Sequence, residues 1–360
     1  MRILVVCRPL VFHGGVERAT AGFLGGLVEH GDDVHLLSPG PDPRLAGVRH
    51  QRLVVPPAPP AARPLVLAAA VALARRRGAW DIVQSHERTL SQDVYRAGEG
   101  CHRAWLGARG RRGRGLYNAV MLRLERRVLT TTPRIVTIAR VGKAEIERLY
   151  GIPSARVDVV YNGVDLARFH PAHRSVDARR AAGVPVGATV LLFVGSGFER
   201  KGLATAVDAL AHVSGDARLL VIGKGDTAAY ESRARALGVA DRVTWLGARP
   251  DVERFYAAAD VVVLPTTYEP FGNVHLEALA SGVPMITTTS AGGAEVVTDA
   301  CGAVVTPGDA EGIAKAVERF RALSRAAVEG ACRAAAEPYT YAAQASGFHR
   351  VYRAATHHFP

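Results

Sequence analysis

Cysteine is scarce and dispersed: Cys7, Cys101, Cys301 and Cys332 form no CxxC pair. This argues against a structural zinc site or a disulfide framework and fits a reducing compartment, so a cytoplasmic location is expected. Long apolar runs are also missing. The run at residues 3–7 stops at Arg8, too soon for a secretory signal. Residues 64–74 are apolar but end at Arg75-Arg76-Arg77, well short of the roughly 20 residues a spanning helix needs. There is no GxxxxGK[ST] phosphate loop, no Asp-x-Asp pair at a strand end, no solenoid period and no recognised nucleic-acid motif. Neither a metal nor a prosthetic cofactor is expected, and nucleic acid is not expected as a partner.

What is present is an ordinary globular composition, 48% hydrophobic and 22% charged, spread over 360 residues. That length exceeds what one core usually serves, so two domains are expected. The net charge of +12 is unevenly placed. Residues 1–170 hold 26 Lys and Arg against 14 Asp and Glu, and residues 171–360 hold 19 of each. An excess confined to one half points to an anionic partner for that half: a phosphorylated lipid, a membrane surface or, with no motif to support it, nucleic acid.

Apolar runs alternate with helical patterns throughout. Residues 3–7, 33–37, 81–84, 134–138 and 157–161 read as strands, with helices at 16–30 and 142–150 between them. Residues 164–188 lack a strong strand. The alternation then restarts with strands at 189–194, 218–222, 242–246, 260–264 and 283–287. Such alternation in both halves means two parallel, doubly wound α/β sheets. The expected division is residues 1–165, residues 166–340 and a last helix at 341–360 that rejoins the first domain.

Open parallel sheets bind ligands beyond the carboxyl ends of their strands. Two loops at such positions carry chemistry. Gly195-Ser196-Gly197-Phe198-Glu199-Arg200-Lys201-Gly202 follows a strand and opens a helix. Its glycines admit close backbone approach, and Arg200 and Lys201 add charge suited to a diphosphate and to stabilising it as it leaves. Glu269-Pro270-Phe271-Gly272-Asn273-Val274-His275-Leu276-Glu277 sets two carboxylates seven residues apart on a loop running into a helix. Carboxylates accept from vicinal hydroxyls, so this pair suits a ribose and a sugar.

These strings, with Val243-Thr244-Trp245-Leu246-Gly247, Tyr256-Ala257-Ala258-Ala259-Asp260, Pro265 and Gly282-Val283-Pro284, resemble the donor domain of retaining glycosyltransferases of family four. The resemblance extends over nearly the whole chain. It includes Gly14-Gly15 in a first glycine-rich loop and Asn162-Gly163-Val164-Asp165 at the turn closing the first domain. It implies the GT-B fold, two Rossmann-like domains facing a cleft, and transfer of a hexosyl group with retention from a nucleotide sugar used as co-substrate. It also implies roles: Arg200 and Lys201 on the diphosphate, with Gly197 in their loop and Gly14 and Gly15 approaching from the other domain. Glu277 would hold the ribose, and Glu269 the sugar hydroxyls. The backbone of Phe271, Gly272 and Asn273 would lie near sugar and phosphate, and the base near Gly247-Ala248-Arg249.

Within that family, Asp93-Val94-Tyr95-Arg96-Ala97-Gly98-Glu99-Gly100-Cys101 and the Gly195–Gly202 string look most like lipopolysaccharide core glucosyltransferases of type I. These use UDP-glucose, and they have an aspartate where this chain has Glu99. A lipopolysaccharide-type or glycolipid acceptor is thereby implied. Other UDP- or GDP-sugars, and a nucleotide-sugar epimerase of the same fold, stay open. Glu99 is a candidate to orient the acceptor hydroxyl or to stabilise cationic character at the anomeric carbon. His86 and His13 are weaker candidates at strand and loop ends. Residues 103–127 carry Arg109, Arg111, Arg112, Arg114, Arg123, Arg126 and Arg127, with Leu116, Val120, Leu124 and Val128 at helical spacing. Such a segment suits an anionic bilayer or acceptor phosphates.

Overall fold

A computed structural model describes residues 1–10, 15–108, 110, 115–185 and 187–356. The chain divides into two compact units. One is residues 1–163 with 341–360, and the other is residues 164–340.

The first unit holds β1 (Arg2–Val6), β2 (Asp33–Ser38), β3 (Val48–Arg52), β4 (Ile82–Ser85), β5 (Val94–Arg96), β6 (Arg134–Thr137) and β7 (Val157–Val159). They form one sheet in the order β3-β2-β1-β4-β5-β6-β7, with every pair parallel. β1 alternates its side chains between two cores, as a strand buried on both faces must. Ile3 and Val5 pack with Phe23, Leu24 and Leu27 of the Gly15–Glu29 helix and with Phe348, Val351 and Tyr352 of the Tyr341–Thr356 helix. Leu4 and Val6 pack with Val71 of the Arg63–Ala74 helix and with Leu37, Leu53 and Val83. The last helix thus belongs to the first unit. Tyr352 donates to Gln84 Oε1 at 2.6 Å, and Gln84 Oε1 lies on a fully buried side chain.

The second unit holds β8 (Thr189–Val194), β9 (Ala217–Ile222), β10 (Val243–Gly247), β11 (Val261–Leu264), β12 (Met285–Thr288) and β13 (Gly302–Val305), in the parallel order β10-β9-β8-β11-β12-β13. β8 and β11 are central and almost wholly apolar, and Val190 through Phe193 and Val261 through Leu264 are buried. The strandless segment after Gly163 is tied to this unit by charge. Asp260 accepts from Arg174 at 2.7 Å, Arg179 at 3.1 Å, Arg325 at 2.8 Å and the Val190 N–H at 2.8 Å.

Three strands are absent from the sequence pattern, each for a visible reason. β3 reads Val-Arg-His-Gln-Arg on a sheet edge, β5 has three residues, and β13 is an edge strand opening on glycine. The basic stretch is helical where its later part shows apolar residues at helical spacing, with a shorter helix before it. It contains His102–Ala108 and Leu116–Thr131, and Leu116 is 72% exposed while Leu124 and Val128 are buried.

Candidate functional site

The Gly195–Gly202 loop leaves the carboxyl end of β8. The helix expected after it is present, and a second, short one precedes it. A short helix, Phe198–Lys201, is stopped by Gly202, and the Leu203–His212 helix follows. Gly202 has φ 75°, and a Cβ there would lie 1.9 Å from the Pro265 carbonyl oxygen. Only glycine lets the chain turn that closely against the β11 loop. That loop is bonded to the short helix: Thr266 Oγ1 donates to the Arg200 carbonyl at 2.7 Å and the Thr267 N–H donates to it at 2.9 Å. Arg200 and Lys201 are thereby fixed over the end of β11.

Both side chains meet Glu269. Arg200 Nη1 donates to Glu269 Oε2 at 2.7 Å and to the Tyr268 carbonyl at 3.0 Å, and Lys201 Nζ donates to the same carboxylate oxygen. Lys201 and Glu269 are largely buried, with side-chain exposures of 10% and 11%. Burial raises the Glu269 pKa, but the charges of Lys201 and Arg200 and their hydrogen bonds outweigh it and hold the group at about 2. Two cations on one carboxylate leave a net positive charge. An anion brought to this place would be attracted in a medium that screens poorly.

The main chain of the Glu269 loop is locked against the segment after β12. Glu269 N–H donates to the Ser290 carbonyl at 3.1 Å, Gly292 N–H to the Glu269 carbonyl at 2.8 Å, and Gly293 N–H to the Phe271 carbonyl at 2.9 Å. Phe271 is fully buried, Gly272 and Asn273 are partly exposed, and Asn273 precedes the Val274–Ala280 helix. Glu277, one turn into that helix and 8% exposed, accepts from the Tyr256 hydroxyl at 2.7 Å. Arg249 is engaged in a two-point ion pair with Asp251, at 3.0 and 2.9 Å, and lies over the Phe255 ring. Gly197, with φ 75°, begins the short helix with no atom within 4 Å of where a Cβ would be.

Two residues here had drawn no chemical assignment from sequence. Tyr256 is fully buried, and its hydroxyl fixes one Glu277 oxygen. His275 is also fully buried. Its Nδ1 faces the Gly272 carbonyl at 2.7 Å and its Nε2 faces Thr287 Oγ1 at 2.9 Å. Burial lowers its pKa to about 4, so the ring is neutral near pH 7. A Cβ at Gly293 would fall 2.4 Å from Nδ1, so a glycine is required for the ring to fit. Tyr256 and His275 both stand inside the quoted strings, but a buried tyrosine or histidine looks like any core residue in sequence.

In the first unit, Glu99 is 43% exposed and is held by Arg8 and, at 3.4 Å, by Arg88. Arg8 also reaches Glu87 at 3.2 Å, and Arg88 reaches the buried Glu125 at 3.0 Å. His86 is buried and lies 2.7 Å from Gln84 Nε2. Burial, then the charges of Arg96 and Arg8, push its pKa well below the usual histidine value, so it is a neutral part of the buried chain to Tyr352. Among the described residues, His30, Asp32 and His349 also come together; His349 Nε2 lies 2.6 Å from Asp32 Oδ2 and the two rings stack at 3.8 Å. His13, Gly14, Arg109, Arg111, Arg112 and Arg114 lie outside the described residues, and Gly15 is the first residue of its helix.

Residues 13–168 match the family model described as Glycosyltransferase Family 4, and residues 188–322 match that of Glycosyl transferases group 1. A probable transglycosylase of Burkholderia thailandensis is 30% identical over 352 residues, 94% of this chain and 93% of that one. The chain belongs to glycosyltransferase family 4. This transferase is also 37% identical to the lipopolysaccharide glucosyltransferase WaaG of Escherichia coli over 132 residues, 35% of each chain. Several other curated relatives match over about half of their own length or less, at 50%, 47% and 42%. The glycosyltransferase shares its GT-B fold with the crystal structure of WaaG, at a TM-score of 0.82 and 23% identity over 97% of this chain and 99% of that one. HepE of Anabaena in complex with UDP-glucose aligns at a TM-score of 0.78 and 17% identity, over 98% and 99% of the two chains. No described helix is long and apolar enough to cross a membrane.

Proposed function

We propose that this glycosyltransferase moves glucose from UDP-glucose, with retention, onto a hydroxyl of a lipopolysaccharide-core or related glycolipid acceptor. The observation that carries the donor half is the Arg200–Lys201–Glu269 cluster. It joins a partly buried excess of positive charge to a carboxylate on the same loop as Phe271, Gly272 and Asn273. In this reading Arg200 and Lys201 bind the diphosphate and neutralise the charge that grows on it as the glycosyl bond breaks. Glu269 stays ionised, turns its second oxygen to sugar hydroxyls and orients both cations. Glu277, steadied by Tyr256, accepts from the ribose hydroxyls. Arg249, committed to Asp251, contributes through its main chain near the base. The charge balance at the diphosphate rests on side chains, and neither metal nor prosthetic group is assigned to it.

WaaG is named a lipopolysaccharide glucosyltransferase and HepE is complexed with UDP-glucose, which favours glucose and uridine over other hexoses and bases. On the acceptor side, Glu99 is the exposed carboxylate of a loop already lined by Arg8 and Arg88. There it orients the acceptor hydroxyl while the arginines meet acceptor phosphates. The Arg-rich first half, including Arg111, Arg112 and Arg114, holds the enzyme at an anionic membrane surface.

The test is release of nucleotide from a panel of UDP- and GDP-sugars, with and without heptose-terminated lipopolysaccharide core. UDP release from UDP-glucose that rises strongly with the acceptor is the expected result. Release from a different sugar, or indifference to that acceptor, would move the enzyme to another glycan. Turnover with no glycosyl acceptor and conversion of the sugar itself would support an epimerase.

A further inference from the structure

Between Asp42 and Asp81 the chain contains no acidic residue, and from residue 53 to residue 74 its single polar side chain is Arg63. Residues 53–62 run through Pro56, Pro57, Pro59 and Pro60, all exposed, and the Arg63–Ala74 helix follows. That helix buries Ala68 and Val71 against the sheet. Leu65, Ala69 and Leu73, four residues apart, form the opposite stripe. Leu65 is 47% exposed, Leu73 is 64% exposed, and Val54 in the preceding turn is 77% exposed. One step further along the same stripe the chain becomes cationic, with exposed Arg76 and Arg77, and Arg52 is exposed at the other end.

Strand register shows which side of the first unit this is. Val6 pairs with Ser85 and Ser85 with Tyr95, then Tyr95 with Ile135, so these residues point to one sheet face. Val6 packs with Val71 of the Arg63–Ala74 helix, and Tyr95 and Ile135 pack with Leu124 and Val128 of the Leu116–Thr131 helix. Both helices therefore cover the same face. The second helix turns outward Leu116, 72% exposed, Tyr117, 46% exposed, and the exposed Arg123, Arg126 and Arg127. The Gly15–Glu29 and Tyr341–Thr356 helices cover the other face.

We propose that residues 53–74 are an interfacial element that inserts its Leu65–Leu73 side into the headgroup boundary of an anionic bilayer. Arg52, Arg63, Arg76 and Arg77 meet lipid phosphates around it. A helix of this length is too short to span and suits lying in the interface plane. A second copy of the chain fits poorly, because it would bring the same cations against themselves. The inference rests on the membrane-surface part of the proposed function and does not depend on donor or acceptor.

The test uses the full chain with phosphatidylcholine vesicles, with and without phosphatidylglycerol. Leu65→Gln with Leu73→Gln leaves the charge unchanged and alters only exposed positions. It is expected to weaken vesicle co-sedimentation about tenfold, on both lipid mixtures. The Arg111, Arg112 and Arg114→Gln variant should lose binding only where phosphatidylglycerol is present. Leu323→Gln, exposed on the second unit, is the control and should bind like the parent. All four native cysteines are buried, so Ala69→Cys can be labelled selectively with an environment-sensitive dye. A blue shift on vesicle addition is expected. Unchanged sedimentation of the double leucine variant with an unshifted label would overturn the inference, and if the arginine variant still lost binding, the surface reading alone would survive. A vesicle-free dimer dissolved by the leucine changes would assign this side to a second copy and overturn it as well.

Discussion

Glu269 and Glu99 are each held by two cations, yet the two units treat them differently. Glu269 is 11% exposed and shares its Oε2 between Arg200 and Lys201, whereas Glu99 is 43% exposed and is flanked by Arg8 and Arg88. In the second unit, where the net charge is small, the local excess of cation is partly buried. In the first unit the pairing around Glu99 also includes a buried cation, Arg88, and the larger excess includes exposed Arg123, Arg126 and Arg127, which water and salt can screen. The same pairing therefore supports different work. A buried cation beside a buried carboxylate can stabilise charge that appears during a reaction, and exposed arginines can attract an anionic surface or acceptor without fixing its geometry.

The sharpest break in this contrast is Lys201→Ala. With a largely buried charge removed from the diphosphate position, turnover should fall about 10²–10³-fold while the protein stays folded. Near-parental rates of nucleotide release would refute the role.

Next in size is a pH effect on stability. The folded His275 pKa of about 4 lies below the ordinary value of 6.5, so the unfolded chain takes up the proton first. Stability from the neutral ring is fully present above pH 6.5 and is lost as pH falls toward 4, by on the order of 3 kcal/mol. Denaturant melts of the parent and of His275→Gln across that window should converge as the pH drops. Glu269 adds a second loss at lower pH, between its ordinary 4.5 and about 2. Parallel melts would show that His275 is not held neutral by burial.

Changes at Glu99 should be milder. Glu99→Gln is expected to lower kcat about tenfold with donor affinity unchanged, and Glu99→Asp to restore most of it. A loss of donor affinity would place Glu99 on the wrong substrate. The smallest effect is expected from Tyr256→Phe, which removes one hydrogen bond to Glu277 and should weaken UDP binding by about 1 kcal/mol in calorimetry. An unchanged affinity would mean that Glu277 needs no such support.

The second unit was the more legible in sequence. Its central strands are unbroken apolar runs, and its chemistry sits in two short strings whose charges the fold brings to one carboxylate. The short helix before Gly202 was not legible, because its end depends on how close the Pro265 carbonyl comes across the loop. Tyr256 and His275 were hidden for a similar reason: only the structure distinguishes a buried side chain bonded to a functional group from one that fills space. In the first unit, β3 and β5 escaped because an edge strand can be polar and a three-residue strand shows no period. Residues 64–74 could be read from sequence as too short to span a bilayer. Which of their side chains face outward required the sheet beneath them.

The claim that the second unit holds the donor through Glu277 is tested most directly by titrating UDP-glucose into the full chain and into Glu277→Ala by calorimetry, with circular dichroism to confirm that both are folded. The expected result is binding by the parent and a loss of at least about tenfold in the variant, as removal of a charged hydrogen-bond partner brings. Equal affinity in two folded proteins would contradict it.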